Sequence, residues 1–191
     1  MAFTRTDDQC EQVTLVDEAG IECGAGGKLD VHTTGALHAA FSIFLFSDDS
    51  RLLLQCRALS KYHSPGLWAN TCCGHPRPGE AMAAAANRRL HEEFGLSSVL
   101  QRGPVVRYRA SVGESLIENE RVQFFFGMVT GSPTPNPFEI AEFRYCDMDA
   151  RRLEFEASPA AHAAWSRHYM RYQFEASAAF AKPNAMAGAS V

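Results

Sequence analysis

Carboxylate and guanidinium side chains are concentrated in residues 74–96, which read GHPRPGEAMAAAANRRLHEEFGL. A diphosphate that binds together with a divalent cation needs carboxylate oxygens that converge on one patch. A helix places residues three and four apart on one face, so Arg89 and Glu93 would lie side by side. Glu80 lies roughly 20 Å from Glu93 along such a helix, too far to share a metal ion, and we expect it to shape the preceding loop.

The elements that must position these groups follow from hydrophobic patterns and turn residues. Residues 80–94 are rich in Ala, Glu and Arg and are followed by Gly95, which predicts a helix. A second helix is expected at about 159–180. Turns are expected at 24–27 and 48–50, and strands at 12–18, 37–46, 51–57, 67–73, 104–112, 120–129 and 139–147. This mixture predicts an α+β or layered α/β fold.

The length of 191 residues is sufficient for one domain with its own hydrophobic core. We expect this domain at 12–181, with flexible ends at 1–11 and 182–191. The formal net charge of −4 gives no general attraction to nucleic acid or to an anionic membrane. An anionic substrate must therefore be bound by local Lys and Arg side chains or by metal ions. The sequence contains no signal for a particular oligomeric state.

The N-terminal residues MAFTRTDDQCEQ carry acids where a secretory signal would have an apolar run. The longest apolar stretch, around 39–46, is too short to cross a bilayer. We therefore predict a soluble cytoplasmic protein with no membrane insertion. Six cysteines are present, none in a C-x-x-C pair, and a domain of this size does not need disulfides, so we expect free thiols.

Residues 74–96 resemble the Nudix signature, G-x5-E-x7-R-E-U-x-E-E-x-G-U, in which U is aliphatic. The resemblance implies a Nudix-like fold with a mixed sheet flanked by helices. Arg89 departs from the signature, because it stands where the signature has a glutamate. A hydrolase that uses this glutamate to bind Mg²⁺ would lose a ligand, so the departure puts a hydrolase function in doubt. We interpret Arg89 as a phosphate-binding residue. The alternative is a surface ion pair with Glu93.

The preceding residues extend the resemblance. The segment SKYHSPGLWANTCCGHPRPGE at 60–80 is similar to the pattern S-K…P-G-x-W-x-N-x-x-C-G-H-P of the isopentenyl-diphosphate isomerases, which are Nudix-like enzymes. Further matching positions are Lys28, His32, His38, VRYRA at 106–110, IENE at 117–120 and Trp165. The resemblance spans about 13–172. It implies that the chain converts isopentenyl diphosphate, a small isoprenoid diphosphate, into dimethylallyl diphosphate.

The resemblance also implies two metal sites. Three histidines and two glutamates would hold one Mn²⁺ or Zn²⁺, since imidazole and carboxylate ligands suit such ions: His32, His38, His75, Glu118 and Glu120. A Mg²⁺ would bind Glu93, the substrate diphosphate and the backbone carbonyl of Cys73. The remaining histidines have no support from the family pattern and are interpreted as surface or loop residues: His63, His91, His162 and His168.

Four catalytic residues are implied in the same way. Cys73 and Glu120 would act as acid and base on opposite faces of the substrate, in an order that the sequence leaves open, with Tyr108 assisting Glu120. Because Cys73 precedes a metal ligand and a helix N-terminal region, we expect a lowered thiol pKa. Adjacent Cys72 would face the other side of the strand. Trp165 would stabilise a carbocation by cation–π attraction, although its pattern also fits a core tryptophan.

The basic residues at family positions would bind the diphosphate: Lys28, Arg57, Lys61 and Arg89. Two other functions remain open. One is a Nudix hydrolase of a nucleotide or other diphosphate, which Arg89 and the Cys73–Gly74–His75 triplet disfavour. The other is a non-catalytic module that binds a diphosphate or RNA, which the acidic net charge disfavours.

Overall fold

The strand β3 (His38–Phe46) lies at the centre of the fold, and all of its residues are buried. The computed structural model describes residues 10–113 and 115–170. Over these ranges nine strands form one sheet, because β3 pairs on both sides. The other strands are β1 (Gln12–Val16), β2 (Glu22–Gly27), β4 (Leu52–Arg57), β5 (Trp68–Ala69), β6 (Cys72–Gly74), β7 (Gln101–Ser111), β8 (Ile117–Met128) and β9 (Ile140–Cys146).

Both parallel and antiparallel pairs occur in the sheet. β3 runs parallel to β8, with His38 opposite Glu120, and antiparallel to β1, β4 and β6. β7 and β8 pair antiparallel along most of their length, and β9 pairs antiparallel with β4. The sheet is therefore mixed, as predicted. The pairing brings the first residue of β3, the end of β6 and the beginning of β8 to one end of the sheet.

Helices cover both faces of this sheet. They are α1 (Lys28–Thr34), α2 (Met82–Phe94), α3 (Met148–Ala157) and α4, whose described part covers 164–170, with a short 3₁₀ helix at Pro159–Ala161. Leu90 and Phe94 of α2 pack with Phe41 in one core cluster. Trp165 and Tyr169 of α4 pack with Phe124 in the other. The fold is the α+β arrangement that the sequence predicts, a mixed sheet flanked by helices.

Several element predictions were wrong in detail. Residues 24–27 belong to β2 and not to a turn, because their backbone pairs with β1 despite the glycines. The strand predicted at 67–73 is divided into β5 and β6. α3 was not predicted, although Asp147 caps it by accepting hydrogen bonds from two backbone N–H groups. The last helix begins at 164, after the 3₁₀ helix, and not at 159. Its predicted end, the predicted flexible tail at 182–191 and residues 1–9 of the predicted flexible end at 1–11 lie outside the described residues.

The predicted hairpin at 48–50 is confirmed, with Phe46 opposite Leu52 across the turn. The helix predicted at 80–94 is also confirmed, beginning at Met82 and ending before Gly95, which adopts the left-handed conformation with φ of 65°. None of the helices in the described ranges has both the length and the apolar character needed to cross a membrane.

Candidate active site

A pocket of about 580 Å³, partly open to solvent, lies at the end of the sheet where β3, β6 and β8 meet. The loop after β4 and the two covering helices α2 and α4 close its sides. The predicted site residues that line it are Lys28, Arg57, Lys61, Cys73, His75, Arg89, Glu93, Glu118, Glu120 and Trp165. Residues from six segments of the chain are thus brought to one cavity.

Three imidazoles and one carboxylate converge beside this pocket. The ligand atoms of His32, His38, His75 and Glu120 all lie within 4.8 Å of one another. His38 and Glu120 face each other in the register between β3 and β8. Gly35 ends α1 with a left-handed φ of 67°, which lets the short connection return the chain from His32 to His38.

The hydrogen bonds of His32 and His38 fix which ring nitrogen faces this cluster. His32 Nδ1 lies 2.7 Å from the carbonyl of Lys28, and His38 Nδ1 lies 2.9 Å from the carbonyl of Ala36. Because a carbonyl only accepts, each Nδ1 must donate, and in the neutral imidazole the lone pair then lies on Nε2. Both Nε2 atoms are buried and lack a hydrogen-bond partner in the described structure. Such orphaned acceptors with carbonyl-bonded Nδ1 groups fit a divalent metal site.

The protonation states of the cluster are also those that metal ligands need. Burial and the neighbouring His75 and His38 lower the pKa of His32 to about 3. Burial opposes ionisation of Glu120, but its interactions with His38 and His75 outweigh that effect and hold its pKa well below the ordinary value. His75 Nε2 lies 2.9 Å from the Glu120 carboxylate. The site therefore presents a neutral His32 imidazole and an ionised Glu120 carboxylate.

Glu118 shares the strand face of Glu120 but is not among the four residues whose ligand atoms converge. Its side chain is buried, and its Oε2 has no hydrogen-bond partner within the described residues. Burial and repulsion from Glu120 raise its pKa well above the ordinary value. The structure thus brings Glu118 to the pocket beside the cluster, where burial and Glu120 favour the protonated form of its carboxyl group.

The interpretation of His63 and His162 as surface or loop side chains was wrong in one respect, because both side chains are buried. His63 lines the pocket, with its Nε2 3.8 Å from Glu118 and its ring 5.8 Å from that of Trp165. Its position two residues after Lys61 was the signal that could have placed it there. His91 is exposed, as predicted, and His168 is half-buried.

Cys73 and Cys72 point to opposite sides of β6, as predicted. Cys72 packs in the core under α2, whereas Cys73 packs against the cluster under α4 and lines the pocket. The Cys73 thiol lies 3.2 Å from the Ser42 hydroxyl and 3.3 Å from the Asn70 side-chain oxygen. The expected lowering of its pKa was wrong: burial raises the pKa to about 12 despite these two contacts. The thiol therefore holds its proton at neutral pH.

Of the two predicted aromatic residues, Trp165 lines the pocket and Tyr108 is not among the residues that line it. Tyr108 lies opposite Glu120 in the β7–β8 pair, and burial, with repulsion from Glu118 and Glu120, raises its pKa. Trp165 is buried, belongs to the core cluster and also lines the pocket, so its core position is confirmed and its carbocation-stabilising role stays a prediction. Tyr169, one helical turn after Trp165, also lines the pocket and was missed by sequence reasoning.

Arg89 is buried at 7% exposure, so its interpretation as a surface ion pair was wrong. Its guanidinium lies 2.6 Å from Glu93, 2.9 Å from Glu92 and 3.4 Å from Glu139. Gly74 permits this approach, since a Cβ there would lie 3.3 Å from the Arg89 side chain. A guanidinium therefore stands among three carboxylates at one end of the pocket.

The other basic residues of the pocket also contact acceptor groups. Lys28 pairs with Glu11 at 2.7 Å, and this ion pair outweighs burial to lower the Glu11 pKa to about 2. Arg57 donates to the carbonyl of His63 at 3.2 Å, and its guanidinium carbon lies 5.0 Å from the Trp165 ring. Lys61 pairs with Glu139 at 2.9 Å. Sequence reasoning found the cations but missed Glu11 and Glu139, for which spacing gives no signal.

Glu80 and Glu93 lie in different places, the first in the loop before α2 and the second in the pocket wall. Glu80 binds both sides of the Arg88 guanidinium and accepts a hydrogen bond from the Arg77 backbone N–H, so it shapes the loop before the helix. Glu93 is buried in the pocket wall and accepts a hydrogen bond of 3.1 Å from Gln55. Gln55, which the sequence analysis missed, thereby orients the Glu93 carboxylate.

Comparison with known proteins gives the family. The NUDIX domain model matches residues 36–172. The chain is 48% identical over 155 residues to "Isopentenyl-diphosphate Delta-isomerase 1" of Aromatoleum aromaticum, covering 81% of this chain and 88% of that one. It is 49% identical over 154 residues to the isopentenyl-diphosphate Delta-isomerase of Streptomyces griseus, covering 79% and 77%.

Solved structures show the same fold at low sequence identity. A crystal structure of a Deinococcus radiodurans protein superposes with a TM-score of 0.68 at 17% identity, covering 85% of this chain and 98% of that one. A MutT protein from Methanosarcina mazei gives a TM-score of 0.59, also at 17% identity, covering 73% and 94%. The chain belongs to the Nudix family and, within it, to the isopentenyl-diphosphate Delta-isomerases.

Proposed function

We propose that this chain converts isopentenyl diphosphate into dimethylallyl diphosphate by adding a proton to the alkene and removing another from the resulting carbocation. One observation carries the proposal: a protonated thiol, Cys73, and an ionised carboxylate, Glu120, line the same pocket together with the basic residues and Trp165. The names of the relatives at 48% and 49% identity support the same reaction.

The protonation states favour an order for the two steps. Cys73, which holds its proton, donates to the terminal alkene carbon, and the positive charge forms on the tertiary carbon. Glu120 then removes a proton from the carbon next to the CH₂O group. Tyr108, opposite Glu120 in the β7–β8 pair, assists this carboxylate. The buried Trp165 excludes water and offers its ring face to the cation, a contact worth up to ~2 kcal/mol when desolvated.

In this proposal four basic residues bind the diphosphate: Lys28, Arg57, Lys61 and Arg89. Glu93 and the backbone carbonyl of Cys73 would hold a Mg²⁺ with it, which would neutralise phosphate charge. Glu93 is suited to this because it is buried in the pocket wall and oriented by Gln55. Diphosphate binding thus fixes the alkene between Cys73 and Glu120.

The His32, His38, His75 and Glu120 cluster would hold one Mn²⁺ or Zn²⁺, and Glu118 would extend the ligand set after losing its proton. A metal ion there would fix the position of Glu120 and tune its basicity.

The six cysteines are all free thiols, which fits the reducing cytoplasm.

The alternative is a Nudix hydrolase, and one experiment separates the two activities. The purified protein is incubated with isopentenyl diphosphate, Mg²⁺ and Mn²⁺, and the products are resolved by ³¹P and ¹H NMR. Dimethylallyl diphosphate supports the proposal. Release of inorganic phosphate with no isomer indicates the hydrolase, and the absence of any product indicates a binding module.

A further inference from the structure

Glu139 lines the pocket beside Lys61 and Arg89 and has no part in the mechanism above. Its side chain is buried, at 5% exposure. One carboxylate oxygen, Oε2, lies 2.9 Å from Lys61 Nζ and 3.4 Å from Arg89 Nη2. A single oxygen thus contacts two of the cations proposed to bind the diphosphate.

We propose that Glu139 is a positioning residue that holds Lys61 and Arg89 in the arrangement that receives the diphosphate. This inference rests on the proposed function, because the diphosphate-binding role of the two cations comes from it. Glu139 does not touch the reacting atoms in this account, and its effect passes through the two cations.

The backbone fixes Glu139 to both elements that carry these cations. Its carbonyl accepts a hydrogen bond of 2.9 Å from the N–H of Ala58, at the start of the segment that leads to Lys61. Three residues earlier, Asn136 donates its N–H to the carbonyl of Glu93 at 2.7 Å, at the end of α2. The turn at 136–139 is therefore tied both to α2 and to the loop after β4, and the carboxylate keeps its place relative to both.

The position of Glu139 between Lys61 and Arg89 has an electrostatic consequence. Two cations that face the same partly buried pocket repel each other, and a lysine has a long flexible chain that can turn to solvent. A carboxylate between them offsets the repulsion and restricts the lysine before the substrate arrives, which reduces the entropy lost on binding. The shared Glu139 oxygen takes up one of the three N–H donors of the Lys61 ammonium and one of the five of the Arg89 guanidinium, which also contacts Glu92 and Glu93. In this proposal, both cations contact phosphate oxygens through other donors while Glu139 holds them.

Replacing the carboxylate with an amide tests this role. The variant is Glu139→Gln, and the matched control is Glu142→Gln, which makes the same charge change at an exposed position of β9. Affinity for inorganic diphosphate is measured by titration calorimetry at saturating Mg²⁺. We expect Glu139→Gln to weaken binding by about 10-fold or more, and Glu142→Gln to change it by less than about twofold. Unchanged or tighter binding by folded Glu139→Gln protein would overturn the proposal.

Two further measurements separate positioning from a general structural role. With isopentenyl diphosphate, KM should rise by the same factor while kcat changes by less than about threefold. Glu139→Asp keeps the charge but shortens the side chain, and should weaken diphosphate binding severalfold; an unchanged affinity would contradict the role even if Glu139→Gln does not fold.

The coupling to Lys61 gives a third test. Lys61→Gln should weaken diphosphate binding less in the Glu139→Gln background than in the wild type, because the lysine is then no longer positioned. Equal losses in both backgrounds would overturn the inference. Diphosphate binding is measured without turnover, so its result does not depend on the isomerase reaction. A wild-type protein that binds diphosphate but forms no dimethylallyl diphosphate would contradict the proposed function, and the binding data would still test the role of Glu139.

Discussion

At the scale of single residues, Cys73 and Glu120 differ in protonation state: the thiol carries a proton and the carboxylate does not. Burial dominates at the thiol, which stays protonated because its contacts to Ser42 and Asn70 do not compensate. At Glu120, two histidines outweigh the same burial, and the carboxylate stays ionised. One pocket therefore contains a proton donor and a proton acceptor at neutral pH, which is the pair that a proton-addition and proton-removal mechanism requires.

Replacement of the thiol tests its role as proton donor. Cys73→Ala should reduce kcat by roughly 1,000-fold or more, while affinity for Mg²⁺-diphosphate changes little, because the thiol moves a proton and does not hold the substrate. Cys72→Ala is the matched control: it removes a thiol that faces the opposite core, so it should lower the melting temperature but leave kcat within a fewfold. Near-normal turnover by Cys73→Ala would eliminate the thiol from the mechanism.

Arg89 separates the isomerase from the hydrolase at the scale of one side chain. Arg89→Glu would place a fourth carboxylate beside Glu92, Glu93 and Glu139, and should lower kcat/KM for isopentenyl diphosphate by roughly 30-fold or more. Arg89→Lys should lower kcat/KM less, because it keeps the charge and loses only the forked geometry. Circular dichroism checks folding, and a Glu variant that isomerises as well as the wild type would refute the proposed role of Arg89.

At the scale of elements, α2 carries Arg89 and Glu93 at the pocket and Leu90 in the core. Leu90 is fully buried, so its packing fixes the rotation of the helix and hence the direction of its charged face. Asn136 and Gly95 end the same helix, the first by a hydrogen bond to Glu93 and the second by its left-handed backbone. The site residues of α2 therefore depend on contacts away from the pocket.

Truncating this core contact should reduce stability. Leu90→Ala should lower the free energy of unfolding by about 2–5 kcal/mol, because it leaves a cavity between α2 and the sheet. His91→Ala, at an exposed position of the same helix, should change it by less than about 0.5 kcal/mol. Urea denaturation followed by circular dichroism measures both, and equal small effects would show that the helix does not depend on this packing.

The sequence predicted elements and site residues where local patterns are strong. The helix at 80–94 and the central strand were predicted because composition and hydrophobicity are unambiguous there. β2 was missed because its glycines suggest a turn and only pairing with β1 makes it a strand. Glu11 and Glu139 were missed because a counter-ion is defined by a contact across the fold and not by spacing. The raised Cys73 pKa was missed because burial is a tertiary property.

At the scale of the whole molecule, the metal cluster joins α1, β3, the segment after β6 and β8. The four residues proposed as its ligands come from positions 32–120 of the chain, and two of their ring nitrogens are buried without a hydrogen-bond partner in the part of the chain that the structure describes. A metal ion that satisfies them would tie these segments together, so metal binding and stability should be linked.

Metal removal should therefore inactivate the protein and lower its melting temperature. Activity should return with Mn²⁺ or Zn²⁺, and His38→Ala should reduce the metal content measured by elemental analysis, with His91→Ala as the control. Affinity for the metal should fall as the pH is lowered, since protons compete for the imidazole nitrogens. Full activity in protein that contains no metal by elemental analysis would contradict the site.

The most direct test of the account is the fate of protons during turnover in D₂O. Proton addition at the terminal carbon should place one deuterium in a methyl group of the dimethylallyl diphosphate formed at early times, while a proton is lost from the carbon next to the CH₂O group. ¹H and ²H NMR of the product locate the label, and Cys73→Ala should form labelled product roughly 1,000-fold more slowly or not at all. Dimethylallyl diphosphate without deuterium, or release of inorganic phosphate in its place, would contradict the proposed isomerisation.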